Sequence, residues 1–282
     1  MEFKQAKLGD GRIVSYREYG DLKGKTVLFA HGQMNSAAYV PMLFGSDEAT
    51  KRAGVRVIAV DRPGYGESEM HEAHSYVRWV KDMDEFTDVI GVDEFVVVGY
   101  SSGGAFALAC GLSEDHVGPS IFKKVLGVKL ISPCYKAKAL APALQKKMYG
   151  TTELPLTEDA AKALNIKDAE QMATMYASLP ETMSDAFKAD LERAKMQNLK
   201  GPISDSLLET SDWGFEHSSV VKPYAVWHGA KDEDAPTAIY FMYKKSLPSH
   251  PKADWRMIKD QGHGMIRFLW EDILHNTKTL FF

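Results

Sequence analysis

Cysteine is scarce in this chain: Cys110 and Cys134 are the only two among 282 residues, too few for a disulfide framework. No stretch approaches the ~20 consecutive apolar residues that a membrane span needs. Neither sign of charge dominates, with 34 Lys+Arg against 38 Asp+Glu and a net charge of −4. So mild an acidity gives no overall pull toward nucleic acid or an anionic membrane. Repeats, low-complexity tracts and long linkers are absent. Glu2, Lys4, Lys7, Asp10, Arg12, Arg17 and Glu18 leave no room for an apolar signal core near the start. No cysteine near Phe282 offers a lipidation site. The expectation is a reduced, cytoplasmic setting, no membrane or nucleic-acid partner, and a monomer or homodimer.

What is present is an ordinary globular composition, 45% hydrophobic and 26% charged. Short apolar runs alternate with helical patterns in the first half. Arg12–Tyr19, Thr26–Ala30, Val55–Val60, Phe95–Gly99 and Val125–Ile131 read as strands. Between them, Ser36–Arg52, Ser75–Ile90 and Ser102–Gly111 read as helices. Residues 134–220 show no strand pattern and instead suggest helices at Lys138–Tyr149, Thr157–Leu164, Lys167–Ala177 and Glu181–Asn198. Asn165-Ile166-Lys167-Asp168 supplies a helix start there, and Gly150 and Gly201 supply stops. Strands return at Tyr224–His228 and Asp254–Ile258, and a last helix covers Met265–Lys278. Alternating strands and helices predict an α/β fold with a parallel sheet and helices on both faces. The helical block is expected as an inserted cap, residues 134–220, over a core of residues 1–133 and 221–282.

Gly99-Tyr100-Ser101-Ser102-Gly103 fits G-x-S-x-G between an apolar strand and a small-residue helix. That context, more than the pattern, marks a nucleophile elbow, in which a sharp turn lifts the serine hydroxyl above the sheet at a helix N-terminus. A serine needs a base. Of nine histidines, His263 lies on the loop after the last strand, flanked by Gly262 and Gly264. The base in turn needs an acid to hold its tautomer. Asp232 is the earliest acid after the strand ending at His228, and Asp234 is the alternative. Two backbone N–H groups must face the developing oxyanion, and Gln33 and Ser102 are the candidates. Substrate-pocket candidates are Met34, Tyr100, Met172, Met175 and Trp213, with ordinary helix packing as the competing reading for the cap methionines and aromatics.

Other signals carry less. His71-Glu72-Ala73-His74 has i,i+3 rather than i,i+4 spacing, so no metal site is expected there. Cys110 reads as inert core, whereas Cys134 opens the cap and could face solvent. Lys136, Lys138, Lys146 and Lys147 read as a solvated helix face.

Taken in order, Tyr19-Gly20-Asp21, Phe29-Ala30-His31-Gly32, Asp61-Arg62-Pro63-Gly64-Tyr65-Gly66-Glu67-Ser68, Gly99-Tyr100-Ser101-Ser102-Gly103-Gly104, His228-Gly229-Ala230-Lys231-Asp232 and Gly262-His263 resemble the α/β-hydrolase superfamily. The resemblance is to its cap-bearing serine hydrolase branch of esterase, proline-iminopeptidase-like and C–C hydrolase relatives. It implies a mostly parallel eight-stranded sheet and the nucleophile–acid–base order Ser101, Asp232, His263. Serine at 101 departs from the aspartate of related dehalogenases and epoxide hydrolases. The loop after His31-Gly32 lacks both the His-Gly-Gly-Pro run of proline iminopeptidases and the triple glycine of hormone-sensitive-lipase-like esterases. Ser102 stands where many relatives carry Met or Leu. The resemblance implies a serine hydrolase acting on a small carboxylic ester, lactone or thioester, with a small acyl substrate as its partner and no metal or organic cofactor. The alternatives are a C–C bond hydrolase or lyase with the same triad, and a ligand-sensing receptor-like member with little turnover. A peptidase is a further rival. It would need an ammonium-binding acidic cluster, which Glu181, Asp185, Asp190 and Glu192 do not define.

Overall fold

A computed structural model describes residues 2–39 and 46–282. Eight strands form one sheet: β1 (Lys4–Lys7), β2 (Ile13–Gly20), β3 (Lys25–Ala30), β4 (Val55–Val60), β5 (Phe95–Tyr100), β6 (Val125–Ile131), β7 (Tyr224–Gly229) and β8 (Asp254–Ile258). Their spatial order is β1-β2-β4-β3-β5-β6-β7-β8. Strands β3 to β8 run parallel, while β2 joins β4 antiparallel and β1 joins β2 antiparallel. The sheet is thus mostly parallel and eight-stranded, as the resemblance implies. The strand that the pattern misses is β1. Its Lys-Gln-Ala-Lys sequence buries Ala6 alone, as suits an edge strand guarded by lysines.

Helices in chain order are α1 (Ser46–Ala53), α2 (Tyr76–Val89), α3 (Gly103–Ala109), α4 (Glu114–Val117), α5 (Pro119–Lys124), α6 (Pro142–Tyr149), α7 (Glu158–Ala177), α8 (Glu181–Lys195), α9 (Lys200–Thr210), α10 (Ala238–Ser246) and α11 (Ile266–Phe281). The strand side chains alternate between two apolar layers. Leu28, Ile58 and Val97 join Trp79 and Phe86 of α2 and Phe106 of α3. Val27, Phe29, Val57, Val96 and Val98 join Ala53 of α1 and Trp270 and Ile273 of α11. This period-two division puts helices on both faces and buries every residue of β5. Each buried valine there contributes about 1.5–3 kcal/mol before the entropy of ordering the chain, so the strand leading to Ser101 is a rigid base.

Between β6 and β7 the regular elements are all helical, α6 to α9 with short 3₁₀ turns. Several details differ from expectation: α7 is one helix where two were expected, and α9 lies where none was. Asn165 does not start a helix: α7 runs through it, and its Nδ2 donates to Ala161 O one turn back (2.8 Å). Gly201 does not stop one either. Leu199, at φ +63°, breaks the chain between α8 and α9, and Gly201 lies within α9. A Cβ at Gly201 would come within 2.3 Å of the Tyr65 ring, so packing demands glycine there. The expected helix from Ser36 becomes a turn through Tyr39, part of it lies outside the described residues, and its second half is α1. No described helix is long and apolar enough to cross a membrane.

Candidate active site

The carboxyl ends of β3, β4, β5, β7 and β8 lie along one edge of the sheet, where an open α/β sheet forms its crevices. Ser101 follows β5 with φ +54°, a left-handed conformation that costs an L-residue roughly 1–2 kcal/mol. Backbone bonds hold it: Ser101 N donates to Ile131 O (3.0 Å), and Ser101 O accepts from Gly104 N (2.9 Å) and Cys134 N (3.2 Å). A Cβ at Gly99 would lie 2.3 Å from Gly103 O, and one at Gly103 would lie 2.2 Å from Ala30 O. Both glycines are therefore required by the close approach of turn, helix and neighbouring strand.

His263 sits in a 3₁₀ turn after β8, on a loop that crosses the end of β7 so closely that a Cβ at Gly229 would meet Gln261 O at 2.5 Å. Its Nε2 is 3.0 Å from Ser101 Oγ. Its Nδ1 donates to Asp232, 2.9 Å to Oδ2 and 3.1 Å to Oδ1. Asp232 Oδ1 also accepts from Asp234 N (3.1 Å) and Ala235 N (2.8 Å). Burial works against ionisation of Asp232, but the hydrogen bond and charge of His263 and the Ala235 N–H outweigh it and hold the carboxyl below its usual range. The geometry brings Ser101, His263 and Asp232 into one relay. Asp234 contributes its backbone N–H and lines the cavity described below.

Gln33 and Ser102 flank Ser101 from the β3 loop and the α3 N-terminus. Among the described residues, neither backbone N–H donates to a backbone acceptor outside regular helices and strands. Gly32 is packed tightly under this loop, where a Cβ would lie 3.1 Å from both Ser101 Cβ and the Tyr100 ring. Met34, next in the loop, is itself left-handed at φ +57°. The Gln33 side chain does not enter the cavity as a free group. Its Nε2 donates to Asn165 Oδ1 of α7 (2.6 Å), and to Ser206 Oγ (2.9 Å) and Pro202 O (3.3 Å) of α9. Two residues on, Asp190 of α8 accepts from Asn35 Nδ2 (3.0 Å), Ser36 N (2.9 Å) and Ser36 Oγ (2.5 Å). Burial pushes the Asp190 carboxyl up to about 7, partly opposed by these bonds. In the sequence Asp190 is only one acid of an ill-defined cluster. Its signal is burial of an acid on an amphipathic helix, which no spacing rule reveals.

A cavity of about 550 Å³ opens above Ser101. Met34, Tyr100, Met172 and Met175 line it, with Tyr176, Glu209 and Arg267. Trp213 does not reach it. Only 1% exposed, it packs against Tyr76 and Phe215 and donates from Nε1 to Glu209 O. A residue at the end of α9 is turned toward α2 instead of the crevice. Cys134 is buried rather than solvent-facing, and it borders the cavity. Glu209 is buried beside it. Its Oε2 accepts from Tyr149 Oη (3.3 Å), its Oε1 has no partner, and burial, with the nearby Asp205, raises the carboxyl to about 7. Tyr39, missed from sequence, stacks on Tyr100 at 5.6 Å and accepts from Arg267 Nε.

The other strand-end histidines have structural partners. Buried His31 accepts from Arg62 N at Nε2 (3.1 Å) and donates from Nδ1 to Gly32 O (2.8 Å), and burial holds it neutral. His228 donates from Nε2 to Ala235 O (2.8 Å). His71 and His74 do not converge: His71 accepts from Ala73 N, while His74 stacks on Phe106. Arg62, fully buried, makes a bidentate pair with Asp205 of α9, both contacts 2.6 Å, and Tyr65 Oη joins the same carboxylate at 2.6 Å.

A family model described as the alpha/beta hydrolase fold matches residues 25–267. The chain is 25% identical over 262 residues to AB hydrolase superfamily protein YisY of Bacillus subtilis, covering 86% of this chain and 85% of that one. It is also 25% identical over 256 residues to a 2-hydroxy-6-oxononadienedioate/2-hydroxy-6-oxononatrienedioate hydrolase of Paraburkholderia phymatum, covering 89% and 84%. Among solved structures, an esterase from Exiguobacterium antarcticum superposes with a TM-score of 0.71 at 20% identity, over 99% of this chain and 98% of its own.

Proposed function

Since the chain belongs to the alpha/beta-hydrolase family, we propose that it is a serine hydrolase cleaving a small carboxylic ester, lactone or thioester through an acyl-enzyme. The observation that carries this reading is the Ser101–His263–Asp232 relay, with contacts of 3.0 and 2.9 Å, at the floor of the 550 Å³ cavity. That volume is within the range of roughly 300–1,000 Å³ typical of small-molecule sites.

In this mechanism His263 Nε2 takes the Ser101 proton as Oγ attacks the carbonyl carbon. Asp232 keeps the Nδ1 proton in place and stabilises the imidazolium. The tetrahedral oxyanion receives the backbone N–H groups of Gln33 and Ser102. His263 then protonates the leaving alkoxide or thiolate, and the carbonyl reforms as an acyl-serine. A water, deprotonated by the same nitrogen, attacks the acyl carbon and releases the acid and Ser101. Residues 134–220 act as a cap that excludes water and shapes the acyl site.

The test is hydrolysis of p-nitrophenyl esters from acetate to laurate, wild type beside Ser101→Ala, with fluorophosphonate labelling in parallel. The reading expects turnover that falls at least ~10⁴-fold in the variant, and the preferred chain length then sizes the pocket. Labelling of Ser101 without ester turnover would redirect the proposal to C–C bond cleavage by the same triad. Absence of labelling would overturn the triad, and tight ligand binding by such a protein would favour a sensing role.

A further inference from the structure

The turn that presents the Gln33 N–H is tied by side-chain hydrogen bonds to the helices above it. Three side chains make the attachment, each from a different helix. Asn165 of α7 and Ser206 of α9 take the Gln33 amide, and Asp190 of α8 takes Asn35 and the backbone and hydroxyl of Ser36. Asn165 and Ser206 are bonded to each other as well (2.9 Å), so the Gln33 amide enters a network already closed within the cap. Asn165, Ser206 and Asp190 are all buried. Between the anchors lies Met34, in a left-handed conformation that the turn does not favour by itself. A turn of that kind persists only when its surroundings over-determine it.

We propose that Gln33, through its side chain, and Asp190 are positioning residues that make seating of the helical cap and formation of the oxyanion site a single event. The proposal rests on the reading of Ser101 as nucleophile and of Gln33 N–H as an oxyanion donor. With the cap seated, both anchors fix the direction of that N–H. With either anchor lost, the cap can still cover the cavity, but the donor drifts. Binding of the ground-state ester changes little, because the carbonyl oxygen gains its strongest hydrogen bonds only as it becomes an oxyanion.

Gln197 supplies a matched comparison. Its amide also ties cap to core with two bonds, to Gly66 O (3.0 Å) and Ser68 O (2.8 Å), but away from the Gln33 turn. Gln33→Leu, Asp190→Ala and Gln197→Ala are compared by kcat and KM on the best p-nitrophenyl ester. Rates are expressed per site titrated with fluorophosphonate, and thermal midpoints are recorded alongside. For Gln33→Leu the expected result is a kcat lowered roughly 10- to 100-fold, with KM within about twofold. Asp190→Ala should lower kcat in the same way, and the double variant should lose less than the product of the two losses, because both act on one turn. Gln197→Ala should leave kcat unchanged. Equal losses of kcat in all three would show general loosening of the cap and overturn the proposal. So would an unchanged kcat in Gln33→Leu and Asp190→Ala. The underlying reading is judged separately by Ser101→Ala: if that variant still hydrolyses ester, the reading itself fails.

Discussion

Replacing Asp232 by Asn tests the relay at its most informative atom. Asp232 Oδ1 is held by the N–H groups of Asp234 and Ala235, both of which require an acceptor. The asparagine oxygen therefore stays at that position, and its NH₂ group takes the place of Oδ2, 2.9 Å from His263 Nδ1. With a donor at its shorter contact and only the retained oxygen, 3.1 Å away, left to accept, His263 shifts its proton toward Nε2. There it points at Ser101 Oγ and the histidine can no longer accept. The charge is lost as well. A carboxylate and an imidazolium about 4 Å apart attract by about 4 kcal/mol at an effective dielectric constant near 20, a factor of about 10³ in rate. Loss of both charge and tautomer predicts turnover slower by roughly 10³- to 10⁴-fold, with KM little changed. The assay is ester hydrolysis between pH 6 and 9, with circular dichroism and the thermal midpoint confirming that the variant is folded. Asp234→Asn, which keeps the backbone N–H, should stay close to wild type. A folded Asp232→Asn enzyme losing less than tenfold, or a larger loss at Asp234, would refute the reasoning.

Two further predictions concern stability. Asp205→Ala leaves the fully buried Arg62 guanidinium without its carboxylate, and should destabilise the fold by about 3–5 kcal/mol, measured by urea unfolding; a change below 1 kcal/mol would mean that water or another acid compensates. Glu209 has a folded carboxyl raised to about 7, so it binds its proton more tightly folded than unfolded. Its contribution is fully present below the unfolded value near 4.3 and is lost as pH rises through about 7, on the order of 3 kcal/mol in all. Glu209→Gln should accordingly lose less stability than wild type between pH 5 and 8.5, and parallel pH profiles would sink that account. Asp205, Arg62, Tyr149 and Cys134 face the same carboxyl and are unchanged in the comparison.

Residues of the relay were legible in sequence for a local reason. Ser101, Asp232 and His263 each follow a strand and stand near glycines, so strand direction alone carries them to the same edge of the sheet. Residues whose role depends on a distant partner were not legible. Gln33 shows the division within one side chain: its backbone was readable from its place after β3, while its amide answers to Asn165 and Ser206. Gly201 looked like a stop because glycine often ends helices, yet its missing side chain makes room for Tyr65. Asn165 looked like a cap because its amide competes for backbone groups, and in a buried mid-helix place it does so with Ala161 O. Trp213, a pocket candidate by sequence, takes the competing role of helix packing and fills the gap between α9 and α2. Strand β1 carries too little apolar character to register at all.

The bonds that join Asp61, Arg62 and the Gln33–Ser36 turn to the helical insert have a bearing on how the chain is made. They span 132 to 155 residues of sequence: Asp61 to Arg193, Arg62 to Asp205, Gln33 to Asn165 and Asn35 to Asp190. A ribosome that has just released β4 has delivered an aspartate and an arginine whose partners are still more than a hundred codons away. Long closures of this kind are entropically costly and slow, and they form late. During synthesis the amino-terminal strands can pair while the edge of the sheet that bears the site stays wet and unfinished. Ser101 reaches its turn before Asp232, His263 or the residues that anchor the Gln33–Ser36 turn have been translated. In the proposed mechanism, reactivity arrives only with the last strand and the loop that follows it.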